Sequence, residues 1–162
     1  MSELFERKML AQMLDQDGIS RIWDRGVRGE VFEDPVNRFA FEFMVDYWLN
    51  AQMQTPPTPE VMRAEYPQIS LDMEVLETTD WLVDWLQRRY AASRTQQVIR
   101  RAAGVVQVDP VAALETLWHD AYEVSQINTP RYSRANITET VAARRERYAR
   151  DLENQARAGI SI

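Results

Sequence analysis

Apolar residues recur along this chain at intervals of three and four, and that pattern predicts an all-α fold. Phe5, Met9 and Met13 form one row with Leu10 and Leu14 beside it, which predicts an amphipathic first helix over residues 4–15, broken by Gly18. A short second helix carries Ile19, Ile22 and Trp23 and ends at Gly26. Asp34-Pro35 then pairs a side-chain acceptor with a ring-fixed φ, a strong signal for a helix start. Behind it Val36, Phe39, Ala40, Phe43, Met44, Tyr47, Trp48 and Ala51 keep helical spacing, with Phe41, Val45 and Leu49 on other faces. This third helix is expected at the centre of the core.

Thr55-Pro56-Pro57-Thr58-Pro59 is a stiff connection whose last two residues restart a helix that must stop near Pro67. Residues 69–75 alternate apolar and polar side chains with period two, which reads locally as a strand. They have no pairing partner in the chain and a lone strand is unstable, so an irregular segment or short helix is expected there. A long helix follows from about Thr79 to Ala103, closed by Gly104. Asp109-Pro110 opens another, with Val111, Leu114, Leu117, Trp118, Ala121 and Tyr122 on one side. The short link between the two predicts an antiparallel helical hairpin.

Asn128-Thr129-Pro130 ends the hairpin, and Asn136 with Glu139 has the spacing of a capping box. Beyond it Ile137, Val141, Tyr148 and Leu152 fall at i, i+4, i+11 and i+15, one narrow edge of a helix otherwise rich in charge, with Gly159 as its expected cap. Four apolar residues cannot build a core, so this helix is expected to connect folded bodies by docking its stripe. The expected organisation is a head at about 1–78 and a hairpin at about 79–127, together one unit over 1–127. A linker at 128–136 and a linker helix at 137–158 follow, leaving 159–162 as the approach to something further.

Composition adds limits. With 162 residues, 45% of them hydrophobic, the chain can bury one sizeable core and an appendage. The absence of cysteine excludes disulfides and thiolate chemistry and fits a cytoplasmic setting. No basic leader follows Met1, and no apolar run reaches membrane-spanning length, so no membrane partner is expected. The net charge of −6 conceals a division: residues 1–80 carry 7 basic and 16 acidic side chains, whereas residues 81–162 carry 12 and 9. An acidic head disfavours phosphate, so the isolated chain is not expected to bind nucleic acid. Opposite signs on the halves either steer subunits together or are simply solvated surface.

Candidate chemistry is sparse. No phosphate-binding loop occurs, and the five glycines are scattered. His119 has no cysteine or second histidine to share a metal with, and carboxylate pairs such as Glu33/Asp34 and Asp120/Glu123 read as capping or solvating groups. The arginines between Arg144 and Arg150 are interrupted by Glu146 and bordered by Asp151 and Glu153, which reads as a solvated helix face. No catalytic, cofactor-binding or metal-ligating residue is therefore expected. The candidate interface is Trp81, Trp85, Leu114, Trp118 and Tyr122 on the hairpin and Ile137, Val141, Tyr148 and Leu152 on the linker helix. The three tryptophans belong to the hairpin core unless they face outward, in which case they are interface anchors.

The order of elements resembles the N-terminal domain and linker helix of DnaB-type replicative helicases. Phe5 to Leu14 is similar to the family's first helix. Phe32, Asp34, Pro35, Arg38 and Phe41 match an F-x-D-P-x-x-R-x-x-F entry to its third helix, the most specific part of the likeness. Thr58-Pro59-Glu60-Val61 is similar to the next helix start, and Arg144 to Arg150 with Ala158 to Ile162 to the linker helix and the approach to the ATPase domain. Residues 68–80 depart from the family pattern.

The resemblance implies a non-catalytic assembly module: hairpins pair, pairs build a collar on a hexameric ring, and the collar recruits primase and helicase loader. ATP and Mg would be bound only by an ATPase domain beyond this sequence, and single-stranded DNA only by the full ring. The chain would then be a piece of a longer cytoplasmic protein. Lys8 is its one lysine among 19 basic residues, which suggests a GC-rich bacterial or phage source. Two other readings remain open, the helicase-binding domain of a primase and an unrelated helical adaptor.

Overall fold

The computed structural model describes residues 1–127, 146–147, 149–154 and 157. Through residue 127 the chain forms six α-helices and one 3-10 turn, the described residues between 146 and 157 are helical as well, and no strand occurs among the described residues, as the apolar spacing predicts. α1 spans Ser2–Gln12, α2 Gln16–Asp24, the 3-10 turn Gly29–Val31, α3 Pro35–Asn50, α4 Pro59–Glu65, α5 Thr79–Val105 and α6 Pro110–Ile127.

Caps written in the sequence fix most helix starts. The Asp34 carboxylate accepts from the backbone N–H groups of Val36 and Asn37 at 2.8 and 3.0 Å, and Pro35 takes the position where no donor is needed. Thr58 caps α4, Thr78 caps α5, and Asp109 accepts from the N–H of Ala112 at the start of α6. α2 ends in a Schellman arrangement: Gly26, at φ 74°, donates to the Trp23 carbonyl and Val27 to that of Ile22.

Two expected glycine breaks are corrected. α1 stops at Gln12 rather than residue 15, and Gly18 lies inside α2. The Asp15 side chain starts α2 by accepting from Asp17 and Gly18 N–H groups. A Cβ at residue 18 would run into the Gln12 carbonyl, so glycine here permits α2 to cross the end of α1 closely. Gly104 sits within the last turn of α5 and does not close it.

The core lies between α1, α2, α3 and the first half of α5. Met9, Leu10, Met13, Ile19, Ile22, Met44, Leu82 and Leu86 are buried at its centre, each stabilising the fold by roughly 1.5–3 kcal/mol relative to exposure. α3 buries Ala40, Phe41, Met44, Val45 and Trp48. Its Phe39 and Tyr47, expected in the core, face outward instead, because a single layer of helices covers only one side of α3. Residues 69–77 form an irregular strap in which Ile69 is buried and Leu71 and Val75 pack on the core. The period-two alternation is thus real as an inward–outward alternation, without a paired strand.

One buried polar network ties the head together. Glu6 of α1 accepts from the backbone N–H groups of Glu33 (2.6 Å) and Asp34 (3.3 Å), from Asn37 Nδ2 (2.9 Å) and from Arg89 of α5 (2.6 Å). The Arg89 guanidinium also donates to the Val31 carbonyl at 2.7 Å and lies 5.2 Å above the Trp85 ring. A charge with this many partners is tolerable in the interior, and it locks α1, the α3 entry and α5 in one register.

Candidate interaction surface

α5 is 27 residues long and serves two bodies. Its first half buries Leu82, Val83 and Leu86 in the head; among the described residues its second half packs mainly on α6, with Arg94 beside Arg28 and Glu30. The two helices run antiparallel. Val106 and Pro110 meet at the turn, Arg101 pairs with Asp120 at 3.4 Å, and Tyr90 shares a cleft with Ile127 at the far end.

Two single helices cannot cover each other's apolar side chains. In the second half of the hairpin only Val98 and Ala113 are buried. Ile99, Val106, Val111, Leu114, Trp118 and Tyr122 are exposed, Leu114 by 67% and Trp118 by 79%. A shallow depression lined by Ile99, Ala102, Val106, Ala113, Leu114 and Leu117 runs along the seam between the helices. An open apolar surface with aromatic residues, on a helix pair projecting from a packed head, has the composition of an association surface.

The tryptophans are divided rather than shared. Trp118 faces outward on the apolar side of α6. Trp81 and Trp85 are not in a hairpin core: both pack on Phe5 of α1, with ring centroids 5.3 and 4.7 Å away, and Trp81 remains partly exposed. Leu114, Trp118 and Tyr122 therefore form one surface, and Trp81 with Trp85 stands apart at the junction with the head. Ile99, Val106 and Leu117 line the seam together with Leu114, and for the α5 residues the return of apolar side chains from Val98 onward is the signal that marks them.

On the linker helix, residues 146–147, 149–154 and 157 are helical and exposed, including Leu152 at 50%. Ile137, Val141 and Tyr148, the linker of residues 128–136 and the Gly159 cap lie outside the described residues.

The electrostatics are those of surface braces. Arg21 forks onto both oxygens of Asp80 at 2.9 and 3.1 Å, and Arg25 pairs with Asp80 at 2.7 Å and with Asp84, fastening α2 to α5. The hydrogen bond from Arg21, aided by that from Arg25, holds the Asp80 carboxyl below its ordinary range. Lys8 donates to both oxygens of Glu77 and lowers its pKa in the same way, fixing the strap to α1. His119 is exposed beside Glu123 at 3.3 Å, and its ligand-type atoms lie within 4.8 Å of those of Asp120 and Glu123, an open surface group. Among the described residues no helix is long and apolar enough to cross a membrane. Comparison with protein-family models, with curated proteins and with solved structures finds no match.

Proposed function

We propose that this chain is a non-catalytic assembly and protein-interaction module, acting as the N-terminal domain and linker helix of a cytoplasmic DnaB-type replicative helicase. The observation that carries the reading is the open apolar surface of the hairpin, where Leu114 lies on the α5–α6 seam and Trp118 and Tyr122 are exposed beside it on α6. The residues behind the family likeness support it locally. Asp34 and Pro35 cap α3 as that entry motif requires, and Phe32 stacks on Phe41 with centroids 4.9 Å apart. In this reading two copies pair through their hairpins, pairs form the collar of a hexamer, and the collar receives primase and loader. Nucleotide and Mg belong to an ATPase domain outside this chain.

Sedimentation velocity across a concentration series tests it. Self-association is expected for the native chain, and Leu114→Asp should shift it to monomer while changing unfolding stability by no more than about 0.5 kcal/mol, since Leu114 packs little within one copy. A native chain that stays monomeric at high concentration contradicts the proposal.

A further inference from the structure

The head leaves a second surface open, on the outer side of α3. Phe39, Phe43 and Tyr47 follow one another at four-residue intervals, with Phe39 58% exposed. The Phe43 and Tyr47 rings are 6.2 Å apart. Tyr66, just past α4, extends the row: its ring lies 5.7 Å from that of Phe43, and its hydroxyl donates to the Phe39 carbonyl at 3.1 Å. The rings are held against one another and against the end of α4, so a ligand has little side-chain freedom to remove.

The charges beside the row are left over on the acidic side. Arg38 and Arg63 are the two cations of residues 35–66, and both are engaged, Arg38 by Glu42 at 3.2 Å and Arg63 by Glu60 at 3.9 Å. Asp46 and Glu65 make no ion pair among the described residues. Both border the rings: Asp46 follows Phe39 by two helical turns on the same edge of α3, and Glu65 directly precedes Tyr66. Burial raises the Tyr66 pKa, and the Glu65 and Glu42 carboxylates add to the rise, so their negative field reaches the row.

This chemistry selects the occupant. A guanidinium is flat and weakly hydrated, stacks over an aromatic ring and forks onto a carboxylate, whereas an ammonium does neither as well. From Phe39 to Tyr47 the face runs roughly 12 Å along α3, the reach of about four extended residues. An open face of that length holds a stretch of polypeptide better than a single small cation. The surplus of 16 acidic over 7 basic side chains in residues 1–80 repels an acidic partner.

We propose that the Phe39–Phe43–Tyr47–Tyr66 face binds an arginine-bearing peptide segment of a partner protein, whose guanidinium groups lie on the rings and meet Asp46 and Glu65. The contact uses neither hairpin helix, and it stands or falls independently of pairing through α6.

The test titrates the 15N-labelled full chain with acetyl-Arg-Leu-Arg-Leu-Arg-amide and follows the backbone amides of residues 39–47 and 65–66 by NMR. Matched peptides with Lys or Glu in place of Arg serve as controls. Saturable shifts at these residues are expected with the Arg peptide, weaker binding with the Lys peptide and none with the Glu peptide. Asp46→Lys combined with Glu65→Lys should weaken binding by about tenfold. The near-isosteric pair Asp46→Asn and Glu65→Gln should weaken it in the same direction. Both acidic side chains are exposed, and unchanged thermal unfolding would confirm that the variants fold. No saturable shift at millimolar peptide, equal binding of the Lys or Glu peptide, or shifts centred on α5 and α6 would each overturn the proposal. So would indifference to both pairs of substitutions, or shifts of the same face that appear on raising protein concentration without peptide, the mark of a second copy as occupant.

Discussion

Glu6 shows how a single residue can be misread from sequence and yet organise a fold. In a helix with Glu3, Arg7 and Lys8 it looks like one more solvated charge, but it lies in the interior and holds four donors. The clue available was its place in the row Glu6, Leu10, Met13, on the buried edge of α1. Glu6→Ala would strand the Arg89 guanidinium and two backbone N–H groups, so a loss of about 3–5 kcal/mol in urea unfolding is expected, a large part of the stability of a domain this size. Asp80 behaves differently because it is half exposed. Its folded pKa is depressed below the ordinary 3.8 by the Arg21 hydrogen bond first, then that from Arg25. A depressed carboxyl stabilises the fold above its unfolded pKa and loses that contribution as pH falls through the folded value. The melting-temperature gap between the native chain and Asp80→Asn should therefore be constant near neutrality and close below about pH 4.

At the scale of elements, most starts were legible, and ends were legible where Gly26 and Pro67 mark them but not at the close of α1 and α5. Asp34-Pro35, Thr58-Pro59 and Asp109-Pro110 each begin a helix where the sequence places one, because capping is a local interaction between near neighbours. Gly18 misled because a glycine can serve close packing, as it does against Gln12, as well as chain reversal, whereas Gly104 has open space around it and is simply carried in the last turn of α5. The exposure of Phe39 and Tyr47 on α3 was illegible for another reason: spacing tells which residues share a face, not how many of a helix's faces its neighbours cover. The same limit applied to the hairpin, whose Leu114, Trp118 and Tyr122 were recognised as one side of α6, with only the packing revealing that they are exposed among the described residues. For the connector helix, Leu152→Ala and Tyr148→Ala should leave the unfolding of the 1–127 core within about 0.5 kcal/mol of the native chain, since Leu152 is already half exposed. Clear destabilisation in a thermal melt would instead make that helix part of the main fold.

At the scale of the whole molecule, the structure is a well-buried head from which one long helix carries a second helix into solvent. The head is braced by the Glu6–Arg89 network and the Arg21/Arg25 clamp on α5, so the base of the hairpin is rigidly held while its far half is thinly packed. The most direct test is amide hydrogen–deuterium exchange of the full chain, followed peptide by peptide as protein concentration is raised. If the α5–α6 seam is an association surface, protection should increase over residues 98–122 with concentration and stay constant over the head core of residues 6–50. Exchange in residues 98–122 that does not change with concentration would contradict the central claim.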